Sequence, residues 1–203
     1  MTAPFGVDKV LLHTCCAPCS GAIIECLLRS GIRPTIYYCN PNIYPEEEYL
    51  IRKNECSRYA TSLGLDIIDA DYNHEAWLSG IRSLASEDGM EGIETMPERG
   101  GRCFQCFRYR LLDSARYAAR NGFRVLTTTL ASSRWKSLAQ IDAAGRWAVG
   151  QVRSEMGLGP ESLVWWEQNW RRGGLQERRG EIIRECNFYS QTWCGCEYSR
   201  RGQ

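Results

Sequence analysis

The sequence predicts an α/β protein built on a layered parallel sheet with helices on both faces. Short apolar or β-branched runs alternate with longer segments of helical spacing over most of the 203 residues. Polar or thiol residues follow the strand-like runs, and several helix-like segments stop at a glycine. Alternating strands and helices form parallel sheets, because each helix carries the chain back to the edge where the next strand begins.

The predicted strands are short runs rich in apolar, β-branched or aromatic residues. The first is an apolar run after Lys9, the second reads PTIYYC and the third reads LDIIDA. The fourth follows a helix end at Gly122, and the fifth lies in a tryptophan-rich segment. In chain order, the predicted strands are residues 10–13, 34–39, 65–70, 123–127 and 163–166.

The predicted helices follow these strands and carry start and stop signals. The first follows the turn CCAPCS and stops at Gly31. The second begins at Pro45 with three glutamates in its first turn, where negative charge is favoured. The fourth contains the second cysteine pair and stops at Gly122. In chain order, the predicted helices are residues 21–30, 45–63, 74–84 and 103–121, one beyond Lys136, and 176–186.

Length and composition indicate a globular protein of one domain. The hydrophobic content of 43% and charged content of 24% are ordinary for such a chain. The sequence contains no apolar run long enough to cross a bilayer and no secretory signal, so we expect a cytoplasmic protein without a membrane partner. A net charge of +1 gives no overall attraction to nucleic acid, so RNA binding would need a local basic patch.

Ligands of parallel α/β sheets bind at the carboxyl ends of the strands, where the thiol and polar residues of this chain gather. We therefore expect residues 1–203 to form a single α/β catalytic domain. Its C-terminal helical and cysteine-bearing tail, about residues 157–203, is expected to pack over the active site.

Three cysteine groups are the strongest chemical signal in the sequence. The chain has eleven cysteines, and a reducing cytoplasm makes metal or redox chemistry more plausible for them than a disulfide framework. The groups are Cys15-Cys16 with Cys19, Cys103 with Cys106, and Cys194 with Cys196. Because these groups lie far apart in sequence, the fold has to bring them together at one site.

Four of the five cysteines in the first two groups could hold one metal cluster. Cys15, Cys16, Cys103 and Cys106 satisfy the ligand count of a four-iron cluster, and their positions at helix starts favour negative sulfur. Structural zinc on the same residues is the alternative, and spacing alone does not decide between them.

The third group suggests redox chemistry. A disulfide between Cys194 and Cys196 would close a small strained ring, and strain raises the reduction potential. A redox-active pair is therefore favoured over a structural staple. Binding of a second metal ion by these two cysteines is the alternative.

Other side chains give weaker signals. Asp71, after the third strand, is a candidate acid or metal ligand, although it could simply be a carboxylate near a helix start that Asn73 caps equally well. The arginines suit phosphate, or they are solvated helix faces. The tryptophans of residues 164–172 could stack on a nucleobase, or pack in the core.

The chain resembles the cobalamin-independent epoxyqueuosine reductases, the QueH family, from Lys9 to about Ser199. The resemblance rests on the combination of five segments rather than on any one of them. They read KVLLHTCCAPCS from Lys9, YYCNPNIYPEEE from Tyr37, GRC onward from Gly101, TTTL from Thr127 and WCGC from Trp193. The chain differs from the family pattern at Asn73-His74 and Arg134-Trp135.

The resemblance implies a nucleotide-hydrolase-like fold and the last step of queuosine formation. In that step an epoxide oxygen is removed, with two electrons, from epoxyqueuosine at the wobble position of tRNA. It further implies that Cys194 and Cys196 are the redox-active pair. The cysteines that it implies as ligands of a 4Fe-4S cluster are Cys15, Cys16, Cys103 and Cys106. The electron donor is a partner that the sequence does not identify.

The epoxide oxygen also needs a Lewis acid and a proton source when it leaves. We therefore expect Cys19 and Asp71 to be catalytic, with an open iron site or an additional metal ion near them. Two other functions are open. One is an ATPase of the same architecture, which the thiol-rich turn after the first strand disfavours, and the other is a non-catalytic, zinc-binding, arginine-rich RNA-binding protein.

Overall fold

A computed structural model describes residues 1–200 of the protein. Its centre is a five-stranded, all-parallel sheet with the strand order β3-β2-β1-β4-β5. The strands are β1 (Lys9–His13), β2 (Arg33–Tyr38), β3 (Ile67–Asp69), β4 (Val125–Thr128) and β5 (Val164–Trp165). The predicted α/β class and parallel sheet are confirmed.

Six α-helices connect and cover the strands. They are α1 (Ala17–Arg29), α2 (Glu46–Ser62), α3 (His74–Glu87), α4 (Gly101–Arg120), α5 (Leu138–Met156) and α6 (Leu175–Glu185). Helix α1 packs against α2 and α6, whereas α4 packs against α3 and α5. The two groups of helices cover opposite faces of the sheet, as the layered prediction requires.

Successive residues of β1 show how the sequence builds the two layers. Val10 and Leu12 belong to the core with α1 and α2, while Leu11 belongs to the core with α4 and α5. All three side chains are fully buried. Because side chains alternate between the faces of a strand, a strand covered on both faces has to be apolar throughout.

The helix after β1 begins earlier than predicted. Helix α1 begins at Ala17 rather than at residue 21, with Cys16 at its N-cap position and Pro18 in its first turn. Proline at this position is compatible with a helix, because the first N–H groups have no partner within the helix. The segment CCAPCS is therefore mostly the first turn of α1, and Cys19 lies on the helix rather than in a loop.

The sequence left open whether the arginines bind phosphate or are solvated. Most of them have partners within the protein. Arg108 pairs with Asp88 at 2.7 Å and Arg116 pairs with Glu155 at 2.7 Å. Arg110 donates to the carbonyl of Cys39 and to the side chain of Asn40. These arginines hold helices and loops in place.

Two further observations concern the predictions for the whole chain. None of the helices within residues 1–200 combines the length and the apolarity that crossing a membrane requires. Residues 201–203, the end of the predicted C-terminal tail, lie outside the described residues.

Candidate redox centre

A cavity of about 840 Å³ opens at the carboxyl edge of the sheet, where β1 separates β2 from β4. Seven cysteines from the three sequence groups line it. They are Cys15, Cys16, Cys19, Cys103, Cys106, Cys194 and Cys196. The fold therefore brings segments that are more than 170 residues apart to one site, at the position where doubly wound sheets bind their ligands.

The first group forms a compact cluster of sulfur atoms. The Sγ atoms of Cys15 and Cys16 lie 3.8 Å apart, and the three sulfurs of Cys15, Cys16 and Cys19 lie within 4.8 Å of one another. Thr129, just after β4, accepts the backbone N–H of Cys15 at 3.1 Å and donates its hydroxyl to the Cys15 sulfur at 3.4 Å. The turn after β4 thus helps to fix Cys15 at the end of β1.

Negative charge in this group belongs on Cys15. Hydrogen bonds from Cys16 and Cys19, together with the nearby Lys136, hold the pKa of the Cys15 thiol well below its ordinary value. The pKa of Cys16 is raised, because its side chain hydrogen-bonds to Cys15 and Cys19 and is buried. A thiolate that accepts hydrogen bonds from two neighbouring thiols is suited to bind a soft metal.

The second group lies in the first turns of α4. The Sγ of Cys103 accepts the backbone N–H of Arg99 at 3.3 Å, and Cys106 is buried. Burial raises the pKa of Cys103 to about 11 and raises that of Cys106. Without a cation bound at this position, these two thiols stay protonated at neutral pH.

The third group is held by a buried arginine of α2. Arg52 pairs with Glu48 at 2.6 Å and donates to the carbonyls of Cys194 at 3.2 Å and Trp193 at 3.3 Å. Between the two cysteines, Gly195 has φ +99°, and a Cβ atom there would lie 2.8 Å from Cγ1 of Ile43. The loop therefore depends on a glycine that approaches the residues before α2 closely.

The two cysteines of the third group differ in their acidity. A hydrogen bond with Cys196 is the main cause that lowers the pKa of Cys194, and Lys136 and Ser199 act in the same direction. The same hydrogen bond, together with burial, raises the pKa of Cys196. All the cysteines are free thiols, so the pair is described in its reduced form.

Asp71 stands apart from these groups. It is exposed and is not among the described residues that line the cavity. Asn73 caps α3, because its Oδ1 accepts the N–H of Ala76 at 2.8 Å. The structure therefore brings Cys19 together with Cys15 and Cys16 but does not bring Asp71 to them.

Two basic residues that were not predicted from the sequence face the cysteines. Burial opposes a charge on Lys136, but the sulfurs of Cys15, Cys19 and Cys194 outweigh it and raise the pKa of Lys136. Arg179 of α6 donates to the carbonyl of Pro18 at 2.8 Å and lies 3.9 Å from the sulfur of Cys19. Single basic residues carry no sequence pattern, so only the fold reveals their position.

The lining of the cavity suits a thiophilic metal centre. Sulfur dominates the possible ligands, and Glu98 is the one carboxylate among the described residues of the lining. Within residues 1–200, the tightest group of potential ligands is Cys15, Cys16 and Cys19. Soft thiolates of this kind favour iron–sulfur clusters or zinc over hard cations.

Comparisons with known proteins point to one family of reductases. The sequence model described as "Epoxyqueuosine reductase QueH" matches residues 10–202. The chain is 45% identical to an epoxyqueuosine reductase QueH of Histophilus somni, over 98% of this chain and 74% of the relative. It is 44% identical to the protein of the same name from Haemophilus influenzae, with the same coverage.

A more distant relative covers nearly the full length of both chains. The epoxyqueuosine reductase QueH of Thermotoga maritima is 25% identical over 95% of this chain and 91% of its own length. The resemblance inferred from five sequence segments thus extends over the whole fold. The chain belongs to the epoxyqueuosine reductase QueH family, a family of oxidoreductases of queuosine synthesis.

Proposed function

We propose that this protein reduces epoxyqueuosine to queuosine at the wobble position of tRNA, as the last step of queuosine synthesis. The observation that carries the proposal is the meeting of three remote cysteine groups in one cavity, in a chain of the QueH family. The reaction consumes two electrons and two protons. Both carbon–oxygen bonds of the epoxide break, a carbon–carbon double bond forms, and the oxygen leaves as water.

Cys15, Cys16, Cys103 and Cys106 are the proposed ligands of a 4Fe-4S cluster. Their support is that all four line the sulfur-rich cavity, with Cys16 at the N-cap position of α1 and Cys103 in the first turn of α4. When bound there, the cluster would supply single electrons and a Lewis-acidic iron.

Cys194 and Cys196 are the proposed redox pair of the protein itself. Oxidation of one thiolate and one thiol to a disulfide releases two electrons and one proton, so the epoxide takes its second proton from another group. Because the pKa of Cys194 is lowered and that of Cys196 is raised, Cys194 is the thiolate and Cys196 holds a proton. An external electron donor then has to reduce the disulfide before the next turnover.

Lys136 is the proposed proton donor to the departing oxygen. It lines the cavity, and the surrounding sulfurs keep it protonated. His13 is not suited to this task, because burial, followed by the charge of Arg110, lowers its pKa to about 3. Its ring is neutral at physiological pH and contacts Thr128 at 2.7 Å and the carbonyl of Cys39 at 3.2 Å.

An additional metal ion near Cys19 and Asp71 stays a prediction. Cys19 lies beside Cys15 and Cys16, but Asp71 is exposed and outside the cavity lining. Asp71→Ala tests it. If the reconstituted variant keeps its metal content and full turnover, Asp71 has no catalytic role.

We further propose that the chain acts as one catalytic domain in the cytoplasm, with its C-terminal tail as a cover of the site. The support is that residues 189–194 and Cys196 line the cavity together with residues of α1 and α4. No membrane partner is needed for a tRNA substrate.

The experiment is an anaerobic assay with tRNA that carries epoxyqueuosine. Protein reconstituted with iron and sulfide is mixed with dithionite and the tRNA, and the nucleosides are separated and weighed by mass spectrometry. We expect conversion to queuosine, with loss of one oxygen atom, and no conversion in the Cys194→Ser variant. Iron-loaded wild-type protein that leaves epoxyqueuosine unchanged would refute the proposed activity.

A further inference from the structure

An exposed tryptophan stands at the mouth of the cysteine-lined cavity. Trp135 lines the cavity, yet 78% of its surface is accessible, the highest value among the large hydrophobic residues that are exposed in residues 1–200. The tryptophans of residues 164–172, which could stack on a nucleobase by their sequence, do not stand at this mouth. Trp166 and Trp170 are buried in the core. The lining also holds Trp77, which is fully buried, and Trp193, which is partly buried, so Trp135 is the most exposed indole of this cavity.

Side-chain hydrogen bonds hold the backbone around Trp135 in place. The Arg99 side chain donates to the carbonyl of Trp135 at 2.8 Å and to that of Arg134 at 3.0 Å. Its guanidinium carbon lies 5.7 Å from the centre of the indole ring. Gln140 of α5 in turn donates to the carbonyl of Arg99 at 2.9 Å. The indole is thus presented on a fixed segment between β4 and α5.

The surroundings of Trp135 are positively charged. Arg99 and Arg134 are exposed and line the cavity. Arg171 lies near Arg99. Burial is the main cause that lowers the pKa of Arg171, and the charge of Arg99 acts in the same direction. Within the described chain, none of these three arginines forms an ion pair with a carboxylate. Their unpaired charge is complementary to a phosphate backbone.

A base that undergoes chemistry inside a cavity has to leave its stack, and its neighbour then loses a stacking partner. An exposed aromatic ring at the cavity mouth can replace that partner, and an arginine beside the ring can contact the adjoining phosphate. Trp135 and Arg99 have this arrangement. The bound chain would have to be single-stranded, because a paired base does not present its face to a side chain.

We propose that Trp135 is the stacking platform for a nucleobase of the tRNA anticodon loop next to the base that enters the cavity, with Arg99 and Arg134 on the flanking phosphates. This inference rests on the proposed function, since it names the contact that holds the substrate of the same site.

The test measures binding of an anticodon stem-loop RNA that carries epoxyqueuosine, by fluorescence anisotropy with reconstituted protein. Trp135→Ala is expected to weaken binding about 5- to 100-fold, the range for loss of one base–aromatic stack. Trp135→Phe should recover most of the affinity, because it keeps an aromatic face.

Phe5 offers a matched control. It is 45% exposed and has the guanidinium of Arg124 4.2 Å from its ring centre, but both residues precede strands and lie at the opposite edge of the sheet. Phe5→Ala is expected to leave binding unchanged.

RNAs that lack one base identify the stacked nucleotide. Two stem-loops are made, abasic on the 5′ or on the 3′ side of epoxyqueuosine. Wild-type protein should bind one of these abasic RNAs as weakly as Trp135→Ala binds the complete RNA. The affinity of Trp135→Ala should be the same for that abasic RNA and for the complete RNA. The stacking role is overturned if, for both abasic RNAs, the loss of affinity from the missing base adds to the loss from Trp135→Ala. It is also overturned if Trp135→Ala binds the complete RNA with wild-type affinity.

The proposed function can fail separately. If Trp135→Ala binds and reduces the RNA as well as the wild type, the platform is wrong and the reductase stands. If wild-type protein neither binds nor reduces the modified RNA, the reductase proposal fails and the platform fails with it.

Discussion

Lys136 shows how one residue adjusts the chemistry of three cysteine-bearing segments. Its ammonium group faces sulfurs from the end of β1, from α1 and from the C-terminal loop. It favours thiolate on Cys15 and Cys194, and it is the proposed proton donor to the departing oxygen. Both roles need a positive charge in a confined space, where a neighbouring charge is screened less than in water.

Lys136→Met is predicted to reduce kcat about 100-fold, the size of a general-acid contribution. Methionine keeps most of the apolar volume and removes the proton. Rates are measured with epoxyqueuosine-tRNA across pH, and RNA affinity is measured separately. The control Lys9→Met changes a lysine at the opposite edge of the sheet. An unchanged kcat with weaker RNA binding would make Lys136 a phosphate contact instead of an acid.

At the scale of elements, the C-terminal loop depends on α2 for its position. Arg52 binds the carbonyls of Trp193 and Cys194, and Tyr44 donates its N–H to the carbonyl of Gly195 at 2.9 Å. These bonds fix the cysteine pair at the cavity, although the loop has no regular secondary structure between α6 and Cys196.

Gly195→Ala is predicted to shift this loop. The new Cβ would lie 2.8 Å from Ile43 and requires a left-handed backbone that alanine disfavours. We expect at least a tenfold loss of turnover and about 1–3 kcal/mol of stability, while the iron content stays unchanged. Gly150→Ala, an open position on α5, is the control and should have no such effect. Full turnover of Gly195→Ala would show that the loop need not be fixed.

The contact between α1 and α6 is predicted to weaken in acid. Arg178 of α6 binds Glu25 of α1 at 2.8 Å, and this hydrogen bond lowers the pKa of Glu25. A carboxyl with a lowered pKa in the folded state stabilises the protein above its unfolded value, near pH 4.3, and this stabilisation is lost as pH falls through the folded pKa.

Glu25→Gln should therefore lower the melting temperature slightly at pH 7 and by less near pH 3. Melting is followed by circular dichroism at both values. Glu177→Gln, an exposed residue of the same α6 helix, is the control. An equal effect of Glu25→Gln at both pH values would mean that the ion pair does not contribute.

At the scale of the whole molecule, the sheet and the helices could be predicted because the central strands β1 and β4 are runs that both helical layers bury, and glycines mark several helix ends. The start of α1 could not, because Pro18 and the adjacent cysteines are typical of a turn as well as of a first helical turn. The cysteine groups were recognisable from their spacing. Arg52, Lys136 and Trp135 were not, because their importance comes from neighbours that are remote in sequence.

The central claim is that remote cysteines hold one inorganic centre. It is tested most directly by the iron and sulfide content of anaerobically reconstituted wild type and of single Cys→Ser variants. Cys19→Ser tests whether Cys19, which lies beside Cys15 and Cys16, is needed to hold the cluster. Cys26→Ser, a cysteine of α1 outside the cavity lining, is the matched control.

We predict four sulfides and the four irons of one cluster per chain in the wild type, in Cys19→Ser and in Cys26→Ser; iron beyond four in the wild type would belong to the additional metal site near Cys19. The cluster should be lost in each of the four ligand variants, Cys15→Ser, Cys16→Ser, Cys103→Ser and Cys106→Ser. Full iron content in any ligand variant, or colourless protein that takes up zinc and no iron, would contradict the account.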